Sequence, residues 1–265
     1  MPVYGRYDVK RWLSGIAVVV FVLVAARVAC AQEELSVTIV SRGDDAFKEL
    51  IAQFEKKTGR KVAVRFPNFI ESRDTIVKGE PFDVGIVEFP HDADVIASGN
   101  VVSSSATLIA NGWMAVAVKK GAPKPDMSTP SAVKRMLLNA KSIAYPDPEG
   151  GTGASGVNVV TMLRRLGIED DVKAKTTLTR GGGRAMVMAA SGEAEIGMTY
   201  YIGMYGNDKI DIVGTLPAQI APPTPLIAFI SSKSRNPAAA RELLTFLTSP
   251  EATATYKKYL LEPAY

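Results

Sequence analysis

The stretch PDPEGGTGASGVNVV, residues 146–160, carries the spacing G-x-G-x-x-G in Gly151, Gly153 and Gly156. That spacing lets a backbone close on a phosphate at the start of a helix. A dinucleotide-binding turn needs its glycines directly after the first strand of the domain. Here the strand SIAY (142–145) is followed by residues 146–150 before the fingerprint begins, and the unit lies in the middle of the chain. The acid farther on, Asp171, sits in IEDDVKAK (168–175), which reads as a helix start and not as a strand end. No Lys-Ser or Lys-Thr follows Gly156, which removes a nucleoside-triphosphate loop as well. What remains is a strand running into small residues with free N–H groups, then a helix whose positive end points back at the loop, a site for an anion. Glycines that only satisfy turn geometry explain this loop alone equally well.

Working outward, the same junction recurs. LSVTIV (35–40) leads through SRGDD (41–45) into a stretch where Phe47, Leu50, Ile51 and Phe54 repeat at helical spacing. KVAVRF (61–66) leads through PNFIESRD (67–74) into a second helix, and FDVGIVEF (82–89) follows as a strand. The second half repeats the scheme: GWMAVAVKK (112–120) as a strand, a helix over 132–139, SIAY with its glycine loop, and TRGGGRA (179–185) opening another helix. EIGMTYY, KIDIV and PLIAFISS are further strands, and two helices open at Pro237 and Pro250. Strands alternating with helices predict an α/β architecture of mainly parallel sheets flanked by helices. In such sheets the strand-to-helix junctions gather at the carboxyl ends of the strands, where ligands bind. Two junctions in each half predict two lobes facing one another across a hinged cleft, with Pro217, Pro222, Pro223 and Pro225 marking a passage between them. The expected division is 32–118 plus 222–265 for one lobe and 119–221 for the other.

Residues 1–31 read as a secretory signal peptide: Arg6, Lys10 and Arg11 precede an apolar run from Gly15 to Ala26, and Ala29-Cys30-Ala31 offers a cleavage site after Ala31. Arg27 interrupts the run before it reaches the roughly 20 residues that a membrane span needs. The leader holds four of the 31 basic and one of the 27 acidic residues, so the mature chain carries 27 against 26, a net charge of +1. A nucleic-acid partner has no support from that balance. The expected location is the periplasm, and without a mature cysteine the core has no disulfide to help it.

The pieces DAFKELIAQFEKKTGRKV, IVKGEPFDVGI, IANGWMAVAVKKGAP, AYPDPEGGTGASG, SGEAEIGMTYY and LTFLTSPEATATYKKYL, in this order, resemble the periplasmic molybdate-binding family of bacterial ABC importers, within the type II solute-binding proteins. The resemblance covers nearly all of Leu35–Tyr265. It implies a two-lobed binding fold that closes on a small anion and docks on an ABC permease in the inner membrane, as a monomer without cofactor or catalysis. Carried over, it places ligand contacts at Ser41 and Arg42, at Asn68 and Phe69, at Gly153, Ala154 and Ser155, at Gly181 and Gly182, and at Tyr200. Both first-lobe serine positions of the family hold other residues here. Arg42, Arg73, Arg180 and Arg184 stand at or beside the junctions instead, and a guanidinium is a planar fork matched to carboxylate or phosphoryl oxygens. The favoured ligand is therefore an organic anion carrying several carboxylates, with Phe69 and Tyr201 as apolar walls; molybdate, tungstate or sulfate is the compact alternative. Some of these arginines are expected to be solvated or neutralised by Glu71, Asp44 or Asp74.

Catalytic players are few. His91, the sole histidine, reads as a surface residue that opens a helix. One histidine and no mature cysteine cannot build a zinc site of common type, and no G-x-S-x-G holds a nucleophilic serine. Asp147 and Glu149 would repel an anion and are expected to face outward. The alternatives to an importer component are an enzyme of the same fold acting on an anionic substrate and a solute sensor for a membrane receptor.

Overall fold

The computed structural model describes residue 1 and residues 34–40, 44–150 and 153–264. Apart from Met1, the expected leader lies outside the described residues, as do Ser41, Arg42 and Gly151. From Leu35 onward the chain forms one compact unit. Its first part runs β1 (Leu35–Ile39), α1 (Asp44–Thr58), β2 (Val62–Arg65), α2 (Phe69–Val77), β3 (Val84–Glu88), α3 (Asp92–Ala97) and β4 (Thr107–Gly112). The middle part runs β5 (Met114–Lys119), α4 (Pro130–Asn139), β6 (Ile143–Pro146), α5 (Ser155–Leu166), α6 (Glu169–Lys173), β7 (Thr176–Thr179), α7 (Gly182–Ser191), β8 (Ile196–Tyr200) and β9 (Ile210–Thr215). The last part adds β10 (Thr224–Ile230), α8 (Pro237–Leu247), α9 (Pro250–Lys258) and β11 (Glu262–Pro263).

Two sheets result, ordered β11-β4-β10-β3-β1-β2 and β7-β6-β8-β5-β9. Each is mixed. In the first, β1 pairs in parallel with β2 and β3, while β10 runs antiparallel to β3 and β4. In the second, β6 pairs in parallel with β7 and β8, while β5 runs antiparallel to β8 and β9. At each passage the entering strand, β5 in one direction and β10 in the other, runs against the βαβ units of the sheet it joins. GWMAVAVKK is accordingly not one strand: Gly112 ends β4, Trp113 makes the step, and β5 begins at Met114. The sheet change falls there and not at Val118. The return passage, residues 216–223, holds Pro217, Pro222 and Pro223, with Pro225 just inside β10.

The core follows from the sequence pattern. Phe47, Leu50, Ile51 and Phe54 are buried on one face of α1, against Phe246 of α8 and Tyr256 of α9, with ring centroids 5.7 Å apart for Phe54–Phe246 and 6.3 Å for Phe47–Tyr256. Asp44 and Asp45 at the start of α1 and Lys56 and Lys57 at its end oppose the helix dipole. α4 opens with Thr129, whose hydroxyl accepts from the Ala132 amide at 3.1 Å, and Pro130 as its first residue. No helix among the described residues is long and apolar enough to cross a membrane.

Candidate functional site

The expected site residues that are described divide between the carboxyl ends of the two sheets. On the second sheet, Pro146 of β6 pairs with Thr179 of β7, and the Asp147 amide donates to the Thr179 carbonyl at 2.7 Å. The chain segments that feed α5 and α7 thus leave from neighbouring points of one edge. α5 follows Ala154 and α7 follows Gly181, residues with no side-chain group to cap a helix. Their first amides are left to be satisfied by something other than a cap.

Both helix starts press against the strand ends. A Cβ on Gly156 would lie 2.3 Å from the Pro146 carbonyl oxygen and 2.9 Å from the Asp147 carbonyl carbon. One on Gly182 would lie 2.1 Å from Thr199 Oγ1. The third glycine of the fingerprint is therefore required for close helix-to-strand packing, as in a nucleotide-binding turn, although no nucleotide is implied. Gly153, Ala154, Ser155, Gly181, Gly182 and Tyr200 share this edge. Asp147 turns its carboxylate back on its own loop, accepting from the Glu149 amide at 3.0 Å.

On the first sheet, Asn68 precedes α2 and behaves differently. Its side chain accepts from the Ile70 and Glu71 amides at 3.1 and 3.0 Å, and Glu71 Oε2 accepts in return from the Asn68 amide at 3.2 Å. Phe69 is buried and stacks on the ring of His91, 3.9 Å between centroids. His91 is thus no surface residue: it is only 9% exposed, and its Nδ1 has no hydrogen-bond partner among the described residues. Burial, and then the charge of Arg73, lower its pKa below the ordinary histidine value, so the ring is neutral. Its place after a strand and at a helix start had suggested exposure; stacking on Phe69, from another helix, covers the ring instead.

The arginines separate too. Arg73 donates to Asp94 at 2.7 Å and Asp74 at 3.0 Å, and the Asp94 carboxylate holds its guanidinium pKa above the ordinary value. Arg184 lies 3.6 Å from Glu193 across an exposed pair. Arg180, between β7 and α7, is exposed. Asp94 and Glu193 were not among the expected neutralising acids; Asp74 was.

Between the two sheets lies a polar cluster of which only Tyr200 was among the expected site residues. Tyr200, 1% exposed at the end of β8, donates its phenol proton to Glu88, wholly buried at the end of β3. Asn158 of α5 donates from Nδ2 to the Tyr200 oxygen at 2.5 Å and to Thr224 Oγ1 at 3.0 Å, and the Tyr200 and Thr224 hydroxyls are 3.0 Å apart. Two signals were available in the sequence. Glu88 is a carboxylate inside an apolar strand, and Asn158 interrupts an apolar helix face; such residues are rarely buried without partners. Around the same ends Ile70, Phe89 and Val157 expose apolar side chains to solvent. Among the described residues no cluster of three His, Cys, Asp or Glu is placed to hold a metal ion.

A profile of the bacterial extracellular solute-binding protein family matches residues 37–260, and the chain belongs to that family. It is a periplasmic-type solute-binding protein with the type II fold. An aconitate isomerase from a Pseudomonas species is 30% identical over 260 residues, covering 95% of this chain and 97% of that protein. The molybdate-binding protein of Azotobacter vinelandii is 26% identical over 245 residues, covering 91% and 95%. Among solved structures, the substrate-binding domain of a putative molybdenum ABC transporter from Clostridium difficile superposes with a TM-score of 0.77 at 18% identity, covering 88% of this chain and 99% of that one.

Proposed function

We propose that the two sheets with their helices are the lobes of a hinged receptor, and that it captures a small organic anion carrying several carboxylates for an ABC permease of the inner membrane. The signal peptide is removed after Ala31, and the mature monomer works in the periplasm. The observation that carries this reading is the pair of uncapped helix starts, α5 after Ala154 and α7 after Gly181, on one sheet edge with Arg180 between strand and helix. Helix starts supply amides and a positive field, and Arg180 adds a planar charge. Ile70, Phe89 and Val157 offer exposed apolar surface near the strand ends, which suits a carbon skeleton better than a bare tetrahedral oxyanion. The similarity to an aconitate isomerase points the same way, since aconitate is an unsaturated tricarboxylate.

A thermal-shift series with aconitate, citrate, molybdate and sulfate tests the ligand class. Binding to the folded state adds RT ln(1 + [L]/Kd), about 2.7 kcal/mol at a hundredfold excess. A shift with the tricarboxylates and none with the oxyanions is expected; the reverse pattern overturns it. Arg180→Ala is expected to weaken binding by roughly tenfold or more, the scale of a charge-assisted hydrogen bond, at unchanged melting temperature of the ligand-free protein.

The second reading, catalysis, is favoured by one observation: the isomerase relative matches over nearly the whole of both chains. Incubating the protein with cis-aconitate and following the proton NMR spectrum separates the two. Recovery of unaltered cis-aconitate supports a receptor, and appearance of the trans isomer supports an enzyme.

A further inference from the structure

The chain crosses between sheets at Trp113 and again over residues 216–223, and one side chain touches both crossings. The Tyr200 ring lies against Gly112, the last residue before the first crossing: a Cβ there would be 3.3 Å from Tyr200 Cδ1. Its hydroxyl reaches Thr224, the first residue after the second crossing. The backbone adds to this, with the Tyr201 amide donating to the Trp113 carbonyl at 2.7 Å and the Phe89 amide to the Pro225 carbonyl at 3.0 Å.

A phenol oxygen has one proton to give and two lone pairs to fill. The proton goes to the Glu88 carboxylate, the strongest acceptor in reach, which leaves the Thr224 hydroxyl as donor in the 3.0 Å pair. With Asn158 Nδ2 as the second donor, the oxygen is saturated. Asn158 in turn spends both amide protons, one on Tyr200 and one on Thr224. Among the described residues the three bonds of Tyr200 use its proton and both lone pairs. The residue joins an element of the first sheet, Glu88 of β3, to two of the second, β8 and α5. Asn158 sits within the first turns of α5, the helix whose start was assigned to the anion.

We propose that Tyr200 is a positioning residue and not a ligand contact: with Glu88, Asn158 and Thr224 it holds the two sheets in register at their crossings and couples the seating of an anion on α5 to their relative position. A fully satisfied buried network is suited to this, because any displacement of one sheet against the other leaves a buried carboxylate or hydroxyl unpaired. Only the ligand half of the statement rests on the function proposed above.

The test removes the phenol oxygen and little else. Spin labels on cysteines introduced by Lys56→Cys on α1 and Lys173→Cys on α6, both exposed positions, in a Cys30→Ser chain, report the distance between the two halves. In the ligand-free protein Tyr200→Phe is expected to add a second, longer-distance population that the parent lacks. Glu88→Gln, which keeps an acceptor oxygen, is expected to give the same population at lower occupancy, and serves if Tyr200→Phe does not fold. A ligand-free distribution identical to the parent in both variants overturns the proposal, even if affinity for aconitate falls, since that pair of results describes a ligand contact. Because the first readout needs no ligand, failure of every anion to bind leaves it decisive. Where aconitate binds, Tyr200→Phe is expected to weaken aconitate and citrate by the same factor, within about threefold. A loss confined to one of the two overturns the coupling.

Discussion

The starts of α2 and of α5 and α7 occupy equivalent places in βαβ units, yet their chemistry is opposite. α2 closes its own end: Asn68 and Glu71 satisfy amides reciprocally. α5 and α7 begin after Ala154 and Gly181, which cannot do so, and each is pressed onto a strand end through a glycine. Topology therefore puts these junctions at equivalent places, but α2 closes its own first amides while α5 and α7 have no side-chain cap. An anion-binding edge is a matter of which residues stand at the cap position and not of where the helix starts.

The sharpest way to break this contrast is at the glycines. Gly156→Ala places a methyl against backbone atoms, Pro146 O and Asp147 C, which cannot rotate aside. Overpacking of this kind costs about 3 kcal/mol, read as a fall in midpoint on chemical denaturation. Gly183→Ala is the counterpart: the added Cβ meets nothing within 4 Å, and replacing a helical glycine stabilises by up to about 1 kcal/mol. Equal effects from the two substitutions would remove the close packing from the account of the site.

Much of this was legible beforehand, and the rest was not for identifiable reasons. The helical repeat Phe47, Leu50, Ile51, Phe54 predicted both α1 and its buried face, because one helix against one sheet leaves a local periodicity. The glycine loop announced a strand-to-helix junction, and the structure makes Gly156 a packing requirement. What escaped depends on contacts between residues far apart in the chain. Glu88 and Tyr200 are separated by 112 positions, and Phe69 and His91 meet only because α2 packs beside the turn after β3. Arginines at junctions looked alike in the sequence, but Arg73 is spent on Asp94, an acid supplied by another helix.

A milder intervention sharpens the comparison from the other side. Asn68→Ala removes the cap of α2 and is expected to cost about 1 kcal/mol of stability. Since the α2 amides are not assigned to the anion, affinity measured by calorimetry should stay within about twofold of the parent. A tenfold loss would mean that the first sheet contributes donors after all.

Beside the first sheet the chain's sole histidine adds a pH dependence of its own. His91 is buried neutral beside Phe69, with its pKa below the ordinary value of about 6.5. The unfolded chain then takes up the proton first as pH falls. The stability tied to the neutral ring is complete well above 6.5 and declines as the pH drops below that value toward the lower folded-state pKa. His91→Phe keeps an aromatic partner for Phe69 and removes the titration. Its melting temperature should vary less than the parent's between pH 7 and pH 5; parallel curves would show that another group sets the slope.

The smallest expected effect concerns Arg184, which lies inside α7, four positions after Arg180. It lies 3.6 Å from Glu193, with both side chains more than half exposed. Such pairs contribute about 0.5 kcal/mol or less, since solvent screens the attraction and holding two long side chains costs entropy. Arg184→Ala should therefore leave both stability and affinity for a tricarboxylate near the parent's, while Arg180→Ala lowers affinity. Arg184→Ala would then be nearly silent because that guanidinium already has a carboxylate just past its own helix end. If Arg184→Ala weakened binding as much as Arg180→Ala, the Glu193 pair would have to open on ligand arrival, and the anion would extend along α7 beyond its first turn.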